Sequence, residues 1–381
     1  MQKLVLLYWG CIFLMYLSEV YYPADRLPER DGRRSFMWHR ADVFMVAVIV
    51  WLTCFSMLRT NYNDTTAYIG GFEEAETIAE GFANGTFTDW TGNPLSMVYR
   101  SLMREITSNF HIYFLVPAML SSFAVVKLFK RYSLSPALSL LIFFSIGTYV
   151  MYIAALKQCF AMFFLLLALP YAIDRKYVRF YLLVGVAILF HTHAFMFAIV
   201  PFLMGKPWGK TTWIGVGVMA FLMLTYNTTM TAFMNFAQSI GAMVKADEVF
   251  DGHQINVLRV AVYWVPALLM LVFHRRLLTH TTRTENLFLN MSIVSALILS
   301  IGLVEGANLY ARMAGYFELA TAVALPWIIQ RLFTRQSAKL VTLFAGILYF
   351  GYFMFEFAIT KNFGTEYSAI TLWELVRELI A

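Results

Sequence analysis

Charged residues are scarce in this chain of 381 residues. Asp, Glu, Lys and Arg make up 14% of it, against about one quarter in a typical soluble domain. Hydrophobic residues account for 60%, more than a soluble protein of this size can place in a core. The composition therefore excludes a soluble globular domain and predicts an all-α, polytopic membrane protein.

Cysteine is also nearly absent. Cys11, Cys54 and Cys159 all lie in apolar runs, so neither a disulfide framework nor a metal-ligand spacing is available. The short loops between the apolar runs contain no glycine-rich phosphate motif. We therefore expect no metal, no nucleotide or other cofactor, and no nucleic-acid partner.

Eleven apolar segments approach the length needed to cross a hydrocarbon layer of about 30 Å. The first resembles a signal peptide, but no cleavage site of small residues follows it, so we interpret it as a retained span. With the hairpin described below, the sequence predicts 11 to 12 transmembrane segments in a single membrane domain, residues 1–381. The segments lie near residues 4–22, 42–58, 111–126, 134–154, 158–173, 180–204, 212–228, 257–273, 286–303, 312–329 and 339–358.

The basic loops indicate the topology. Six loops hold most of the 29 Lys and Arg residues, and the positive-inside rule places all six in the cytoplasm. Alternating spans satisfy this rule everywhere except across residues 180–204, where one long tilted span is the alternative to a re-entrant hairpin. We predict the hairpin, with its turn at His191-Thr192-His193. Irregular backbone at that depth is tolerated only where it lines a cavity, so the histidines are expected at the floor of a cavity that opens outward.

This topology places two polar segments outside. In residues 59–110, acidic residues outnumber basic ones by seven to three. Residues 65–82 and 95–110 have the apolar spacing of amphipathic helices, which we expect to lie along the membrane interface and frame the cavity mouth. Residues 227–256 are expected to form an outer loop or lid, and the amphipathic tail, residues 370–380, is also expected at the outer surface.

Several cations at the outer ends of spans are candidate phosphate ligands. Arg59, Lys157 and Arg312 stand beside polar neighbours. The alternative is that each cation snorkels to the lipid headgroups. If the three converge, they suit a pyrophosphate, because arginine offers a planar fork and lysine a point charge. Arg100 and Arg104 in the outer segment are further candidates for substrate binding.

His191 is a candidate general base, because an imidazole titrates near neutral pH. The alternative is a satisfied structural histidine. On a helix His191 and His193 would point in very different directions, so only one is expected to face the cavity. Metal binding by the pair is disfavoured, because no further ligand has a suitable spacing.

Carboxylates are the other candidate bases. Asp64 is the alternative to His191, and its structural interpretation is a helix N-cap that accepts a hydrogen bond from the backbone N–H of Thr66 or Ala67. Glu305 and Glu356 are each expected to pair with an arginine. Glu305 is also a candidate substrate-binding residue.

A set of polar and aromatic residues marks these span ends in order: Arg59, Asp64, Tyr68 and Phe72, then Lys157-Gln158, then His191-Thr192-His193-Ala194, then Arg312 with Tyr316-Phe317. In order and spacing this set resembles the motifs of the EpsG family of bacterial membrane proteins, over about residues 40–335. Two residues depart from the pattern. Lys157 stands where the family usually has arginine, and Asn93-Pro94 stands where Glu-Pro is common, which removes a carboxylate that would otherwise be a candidate base.

The resemblance implies a function, because the family is similar to the Wzy-type polymerases. It implies polymerisation of undecaprenyl-pyrophosphate-linked repeat units into an exopolysaccharide, capsule or O-antigen at the outer face of the cytoplasmic membrane, on a fold related to the GT-C membrane glycosyltransferases. Tyr68, Gln158 and Tyr316 would join in substrate binding. The bilayer, and a flippase and chain-length regulator of the same pathway, are the partners implied.

Within this function, the pyrophosphate is the leaving group. We expect Arg312, Arg59 and Lys157 to hold it, which is electrostatic catalysis by preplaced cations. We favour His191 over Asp64 as the base that takes the acceptor proton.

Three other classes of function remain open at this point. A flippase for lipid-linked glycans would be expected to show paired repeats or broken helices in its two halves, and the sequence shows no such symmetry. A membrane O-acyltransferase would need a histidine near the first spans, where only His39 stands. A structural assembly factor is the third alternative.

Overall fold

The computed structural model describes residues 1–23, 42–88, 93–239, 249–361 and 363–380. His39, the first basic loop and the middle of the 227–256 segment lie outside these ranges. The chain divides into two compact units, residues 1–195 with 342–381 and residues 196–341. The single membrane domain stays a prediction.

Helices dominate the described structure, which confirms the fold class expected from composition. Unit 1 begins with two apolar helices, of 20 and 15 residues, and ends with short elements near the C-terminus. In chain order the elements are α1 (Gln2–Tyr21), α2 (Val43–Met57), β1 (Arg59–Asn61), α3 (Thr65–Glu73), α4 (Ile78–Ala83), a 3-10 turn (Thr86–Thr88), α5 (Pro94–Ile106), α6 (Phe110–Tyr132), α7 (Pro136–Ser145), α8 (Thr148–Ala154), α9 (Leu156–Ile173), α10 (Tyr177–Phe190), a 3-10 helix (Thr192–Met204), α11 (Lys210–Leu224), α12 (Tyr226–Ser239), α13 (Val257–Val272), α14 (His274–Leu277), α15 (Arg283–Ile301), α16 (Ala307–Ala314), α17 (Glu318–Leu332), α18 (Arg335–Met354), a π-helix (Phe355–Thr360), α19 (Phe363–Glu366), β2 (Ser368–Ala369) and α20 (Leu372–Ile380).

Five of the described helices are long and apolar enough to cross a membrane, or up to seven spans if each of two bent pairs counts as one. The bent pairs are α7 with α8, at 59°, and α11 with α12, at 93°. The remaining apolar segments include shorter helices such as α2 and α13. A helix of 15 residues extends about 22 Å, less than the hydrocarbon layer, so the described spans are fewer than the 11 to 12 predicted.

The chain breaks at His191, where the hairpin turn was predicted. α10 ends at Phe190, His191 has extended backbone angles (φ −153°, ψ 113°), and a 3-10 helix follows from Thr192 to Met204. A 3-10 run of this length is uncommon. The break in helical structure is therefore confirmed, and the re-entrant path itself stays a prediction.

A buried ion pair holds three helix ends of unit 1 together. The Asp42 carboxylate caps α2 by accepting a hydrogen bond from the Met45 backbone N–H at 3.0 Å, and it accepts another from the Ser18 hydroxyl at 2.6 Å. Lys130 Nζ lies 3.0 Å from the same carboxylate and donates to the Ser18 and Tyr22 carbonyls. Removing one partner of such a pair would leave a buried charge, which is strongly destabilising.

Residues 59–110 contain the predicted helices, but the first of them is split, and their place outside the membrane stays a prediction. α3 ends at Glu73, and α4 starts after Thr77, whose hydroxyl and backbone form a capping box with Glu80. The second helix, predicted over 95–110, runs from Pro94 to Ile106. No sequence pattern predicted β1, which pairs antiparallel with β2 near the C-terminus.

In unit 2, one asparagine joins the end of the 3-10 helix and the start of α11 to a long helix. Asn290 on α15 donates to the carbonyls of Leu203 and Gly205, at 2.8 and 2.7 Å, and its amide oxygen accepts from the Thr212 hydroxyl at 3.3 Å. Glu318 on α17 is completely buried, and its carboxylate lies 3.9 Å from Arg259 of α13. Asn290 and the Arg259–Glu318 pair thus link elements of this unit through buried polar groups.

Candidate functional site

Arg59 is buried at the end of α2, with 2% of its surface exposed. Its Nε donates to the Thr65 hydroxyl at 3.1 Å, its Nη1 donates to the Ser56 carbonyl and hydroxyl, and its guanidinium lies 4.0 Å from the centre of the Phe114 ring. The alternative that this cation snorkels to lipid headgroups is therefore wrong. Instead, protein groups fix the guanidinium in one position beside the start of α3.

Asp64 occupies the N-cap position of α3, but its carboxylate makes no capping hydrogen bond. The predicted cap is wrong in this respect, because only the Asp64 carbonyl serves the helix, by accepting from the Tyr68 backbone N–H at 3.0 Å. The side chain is half-buried, and no hydrogen bond or ion pair joins it to another described residue. A carboxylate in this position is available to a ligand.

Arg100 and Arg104 lie one turn apart on α5 and both face α3. Arg100 Nη1 lies 3.0 Å from the position that a Cβ would occupy at Gly71, so the absence of a side chain there makes room for the guanidinium. Arg104 lies over the Phe72 ring, 5.6 Å from its centre. Arg59 bonds to Thr65 at the start of the same helix, so three arginines contact α3 along its length.

Three acidic side chains near these arginines, Glu76, Glu80 and Glu105, hydrogen-bond to other groups. Glu76 accepts hydrogen bonds from Asn84 and Thr86 at 2.9 and 2.7 Å, which lower the pKa of its carboxyl. Glu80 caps α4, and Glu105 accepts from the Ile78 backbone N–H at 2.7 Å.

Arg100 Nε is buried without a hydrogen-bond acceptor. No described acidic side chain lies within ion-pair distance of Arg59, Arg100 or Arg104. Three arginines therefore lie along α3 without an ion-pair partner among the described residues, and Asp64 stands at one end of this helix. Tyr68, in the middle of α3, interacts electrostatically with Arg59.

The histidine segment is attached to α5 by two side chains. The Asn93 amide oxygen accepts hydrogen bonds from the Thr192 backbone N–H at 2.9 Å and from its hydroxyl at 3.1 Å. The Ser96 hydroxyl donates to the Phe190 carbonyl at 2.8 Å. These bonds hold the break around His191 against the first turn of the helix that carries Arg100 and Arg104.

His191 and His193 do not have the arrangement expected of a helix. Because His191 is extended, the two rings lie together, with centres 5.1 Å apart and planes tilted by 58°. The different directions expected of two residues on a helix do not apply here, because α10 ends at Phe190. Both side chains are half-buried.

Lys157 and Gln158 lie in the first turn of α9, and Gln158 is completely buried. The same helix carries Phe160, whose ring stacks on Phe190 at 4.7 Å and meets Tyr99 of α5 edge-on at 4.5 Å. Burial raises the pKa of Tyr99, which keeps its hydroxyl protonated to donate to the Tyr113 carbonyl at 2.6 Å. Aromatic packing thus joins α9, α10 and α5 next to the histidine segment.

Arg312, Tyr316 and Glu305 belong to unit 2. Arg312 is half-buried in the last turn of α16, and Tyr316 is buried just beyond that helix, within electrostatic range of Arg312. Gly306 begins α16 in the left-handed region (φ 73°), and a Cβ there would lie 2.7 Å from the Tyr226 hydroxyl. The convergence of Arg312 with Arg59 and Lys157 stays a prediction.

The two late glutamates do not pair with arginines as expected. Glu305 accepts a hydrogen bond from the Gly252 backbone N–H at 3.3 Å, and Glu356 pairs with Lys361 at 3.2 Å. Other groups bind these carboxylates instead. The Gly252 backbone N–H donates to Glu305, and Lys361, five residues along the chain, pairs with Glu356.

Some residues around the site carried no signal in the sequence. Asn93 drew attention only as a departure from Glu-Pro, and its role in holding Thr192 depends on a contact across 99 residues. Thr65 and Phe114, which hold Arg59, are common residue types in ordinary positions. Among the residues that the structure describes, no group of three His, Cys, Asp or Glu side chains could hold a metal ion.

The fold and the site define a polytopic helical membrane protein in which three arginines contact a short helix, α3, and α5 adjoins a histidine segment. The model of the EpsG family matches residues 42–369. The chain therefore belongs to the EpsG family, the family of Wzy-like exopolysaccharide polymerases. The match confirms the resemblance and extends it to β2, which pairs with the Arg59 strand. No curated protein and no solved structure matches the chain.

Proposed function

We propose that this protein polymerises oligosaccharide repeat units linked to undecaprenyl pyrophosphate, at the outer face of the bacterial cytoplasmic membrane. Family membership supports polymerase function in exopolysaccharide synthesis. One observation supports the finer assignment. Arg59, Arg100 and Arg104 all contact α3 without an acidic partner among the described residues, and a half-buried carboxylate, Asp64, stands at the start of the same helix. A pyrophosphate group carries negative charge, which these three arginines can bind.

In the proposed reaction, a hydroxyl oxygen of the acceptor sugar attacks the anomeric carbon of the donor glycan. The bond between that carbon and the pyrophosphate oxygen breaks, and the pyrophosphate leaves with the bonding electrons. The hydroxyl proton passes to a base. Preplaced guanidinium groups stabilise the charge that develops on the leaving group, and arginine binds such oxygens in a bidentate manner.

His191 is the base that we favour. It stands at a break in helical structure, where its side chain is not confined to a helix face, and Asn93 holds the segment next to α5. An imidazole near neutral pH can accept a proton and later release it. Asp64 then orients a sugar hydroxyl or an arginine, and it is the alternative base.

Arg312, Lys157 and Tyr316 complete the proposal as further ligands of the lipid-linked substrate, with Gln158, Tyr68 and Glu305. Lysine at position 157 supplies a point charge where the family usually has a planar fork. The products pass to a chain-length regulator, and a flippase of the same pathway supplies the substrate.

A transporter of lipid-linked glycans is the second candidate. Each unit contains one bent helix pair, α7 with α8 in unit 1 and α11 with α12 in unit 2, and broken helices in the two halves are a feature of many transporters. The sequence did not indicate these bends. Family membership favours the polymerase.

One experiment separates the two candidates. His191→Ala and Arg312→Ala would be expressed in cells that lack the native protein, and the lipid-linked glycans would be extracted and sized. A polymerase variant should accumulate single repeat units that a membrane-impermeant enzyme can reach from outside. A transporter variant should trap them inside.

The matched control is Arg179→Ala, which removes an exposed arginine in the first turn of α10 and should leave long polymer intact. Long polymer from both His191→Ala and Arg312→Ala would overturn the site assignment.

A further inference from the structure

The last helix, α20, exposes an apolar face. Successive residues on a helix are rotated by about 100°, so the apolar residues of α20 occupy one continuous arc and the charged residues the other. Leu375, at one edge of this arc, is buried against the protein, whereas the rest are open: Leu372, Trp373, Leu379 and Ile380 are 55%, 63%, 52% and 81% exposed. Family membership does not account for this helix, because the match ends at residue 369.

Hydrogen bonds fix both ends of α20. Just before the helix begins, the Ile370 backbone N–H donates to the Leu58 carbonyl at 3.0 Å, directly after the end of α2. Near its C-terminal end, Glu378 accepts from the Asn109 side chain at 3.4 Å, directly before the start of α6. α20 therefore runs from the end of one apolar helix to the beginning of another.

The end of α2 and the start of α6 lie side by side, at the same level along the axes of the two helices. The His111 ring nitrogen is 2.8 Å from the Met57 carbonyl, which joins the first turn of α6 to the last residue of α2. A third span ends nearby, because Glu374 of α20 interacts electrostatically with Lys3 at the start of α1.

The length of α6 locates this level in a membrane. α6 has 23 residues and is one of the helices long enough to cross a membrane, so its extent of roughly 34 Å matches the hydrocarbon layer. Its first residue lies at one boundary of that layer. α20, tied to this boundary at both ends, lies along it rather than away from it.

We infer that α20 is an interfacial anchor that lies in the plane of the membrane, with Trp373, Val376, Leu379 and Ile380 in contact with lipid. Its charged face carries Glu374, Arg377 and Glu378, so attraction to anionic lipids does not drive the contact and apolar burial does. Arg377 lies over the Trp373 ring, 5.1 Å from its centre, an arrangement that suits the headgroup level, where tryptophan is enriched.

Spin labels at two positions test this anchor on the full chain. Leu379→Cys labels the apolar face and Arg377→Cys labels the charged face, both in a Cys54→Ser background, since Cys11 and Cys159 are buried. The proteins are placed in lipid nanodiscs of phosphatidylcholine alone, and the accessibility of each label to oxygen and to a water-soluble nickel chelate is measured. We expect the ratio of oxygen to nickel accessibility to be several-fold higher at position 379 than at position 377.

Two outcomes would overturn the inference. Equal ratios at the two positions would show that the apolar face is open to water. Exclusion of both reagents at position 379 would show that protein covers it, either a second copy or another partner. Ile380→Cys, the most exposed apolar position of the helix, gives a second label if Leu379→Cys does not fold. This test does not involve glycan synthesis, so it is independent of the proposed function.

Discussion

The amide oxygen of Asn93 accepts both hydrogen bonds that Thr192 offers, one from its backbone N–H and one from its hydroxyl. Asn93 itself has a left-handed backbone (φ 60°), a conformation that asparagine tolerates better than most residues. One residue thus both starts α5 and holds the histidine segment.

Asn93→Gly should release the histidine segment without straining the backbone, because glycine also adopts positive φ. Each lost hydrogen bond lowers the free energy of unfolding by about 0.5–1.5 kcal/mol. We expect shorter polymer in cells and reduced stability in denaturant titrations of the purified protein. Asn93→Asp, which keeps an acceptor oxygen, is the control and should retain both properties. A full-length polymer from Asn93→Gly would show that this link is not needed.

Gly71→Ala should weaken substrate binding without weakening the fold. The new Cβ would lie 3.0 Å from Arg100 Nη1, so the guanidinium must move, while alanine in a helix is favoured over glycine by about 1 kcal/mol. The neighbouring Gly70→Ala is a matched control, because no atom lies within 4 Å of its Cβ. Polymer yield and thermal unfolding should separate the two variants. The same yield from both would argue against a role for Arg100.

Substitutions of the two candidate bases, His191 and Asp64, should reduce the rate of polymerisation unequally. With His191 as base, His191→Gln should reduce the rate of polymerisation by roughly 10²- to 10⁴-fold. Asp64→Asn, which keeps the shape of the side chain, should lose less and keep the pH dependence of the native enzyme. Rates over a pH series with purified protein and lipid-linked repeat units measure both. The opposite ranking would assign the base to Asp64.

The Asp251 carboxyl should make the stability of a loop in unit 2 sensitive to acid. Partial burial by itself would raise the pKa of this carboxyl, but hydrogen bonds from the backbone N–H groups of His253 and Asn308 outweigh it, and the pKa is lowered. A lowered folded-state pKa stabilises the protein above the unfolded value of 3.8, and this contribution disappears as the pH falls through the folded value.

Thermal unfolding of the native chain and Asp251→Asn should therefore differ at pH 6, and the difference should shrink as the pH falls below 3.8. A difference that does not shrink below this pH would mean that the carboxylate charge is not the cause.

The sequence predicted helices well where the signal was local. Hydropathy located α1, α6 and α9, and charge counting drew attention to the break at His191. The site depended on contacts that local patterns do not encode: Asn93 reaches Thr192 across 99 residues, and Arg59 is enclosed by Thr65 and Phe114 rather than by an acid. Asp64 shows the same limit, since its position at the helix start was predictable but the missing capping bond was not.

The pairing of β1 with β2 affects how the protein is made. The Thr60 hydroxyl bonds to Ser368, 308 residues further along the chain. At 5–20 residues per second of synthesis, the ribosome delivers that partner roughly 15–60 s after Arg59 has emerged. The strand next to the buried arginine is completed only when translation is almost finished, so a prematurely terminated chain inserts its spans but lacks the strand that closes over this residue.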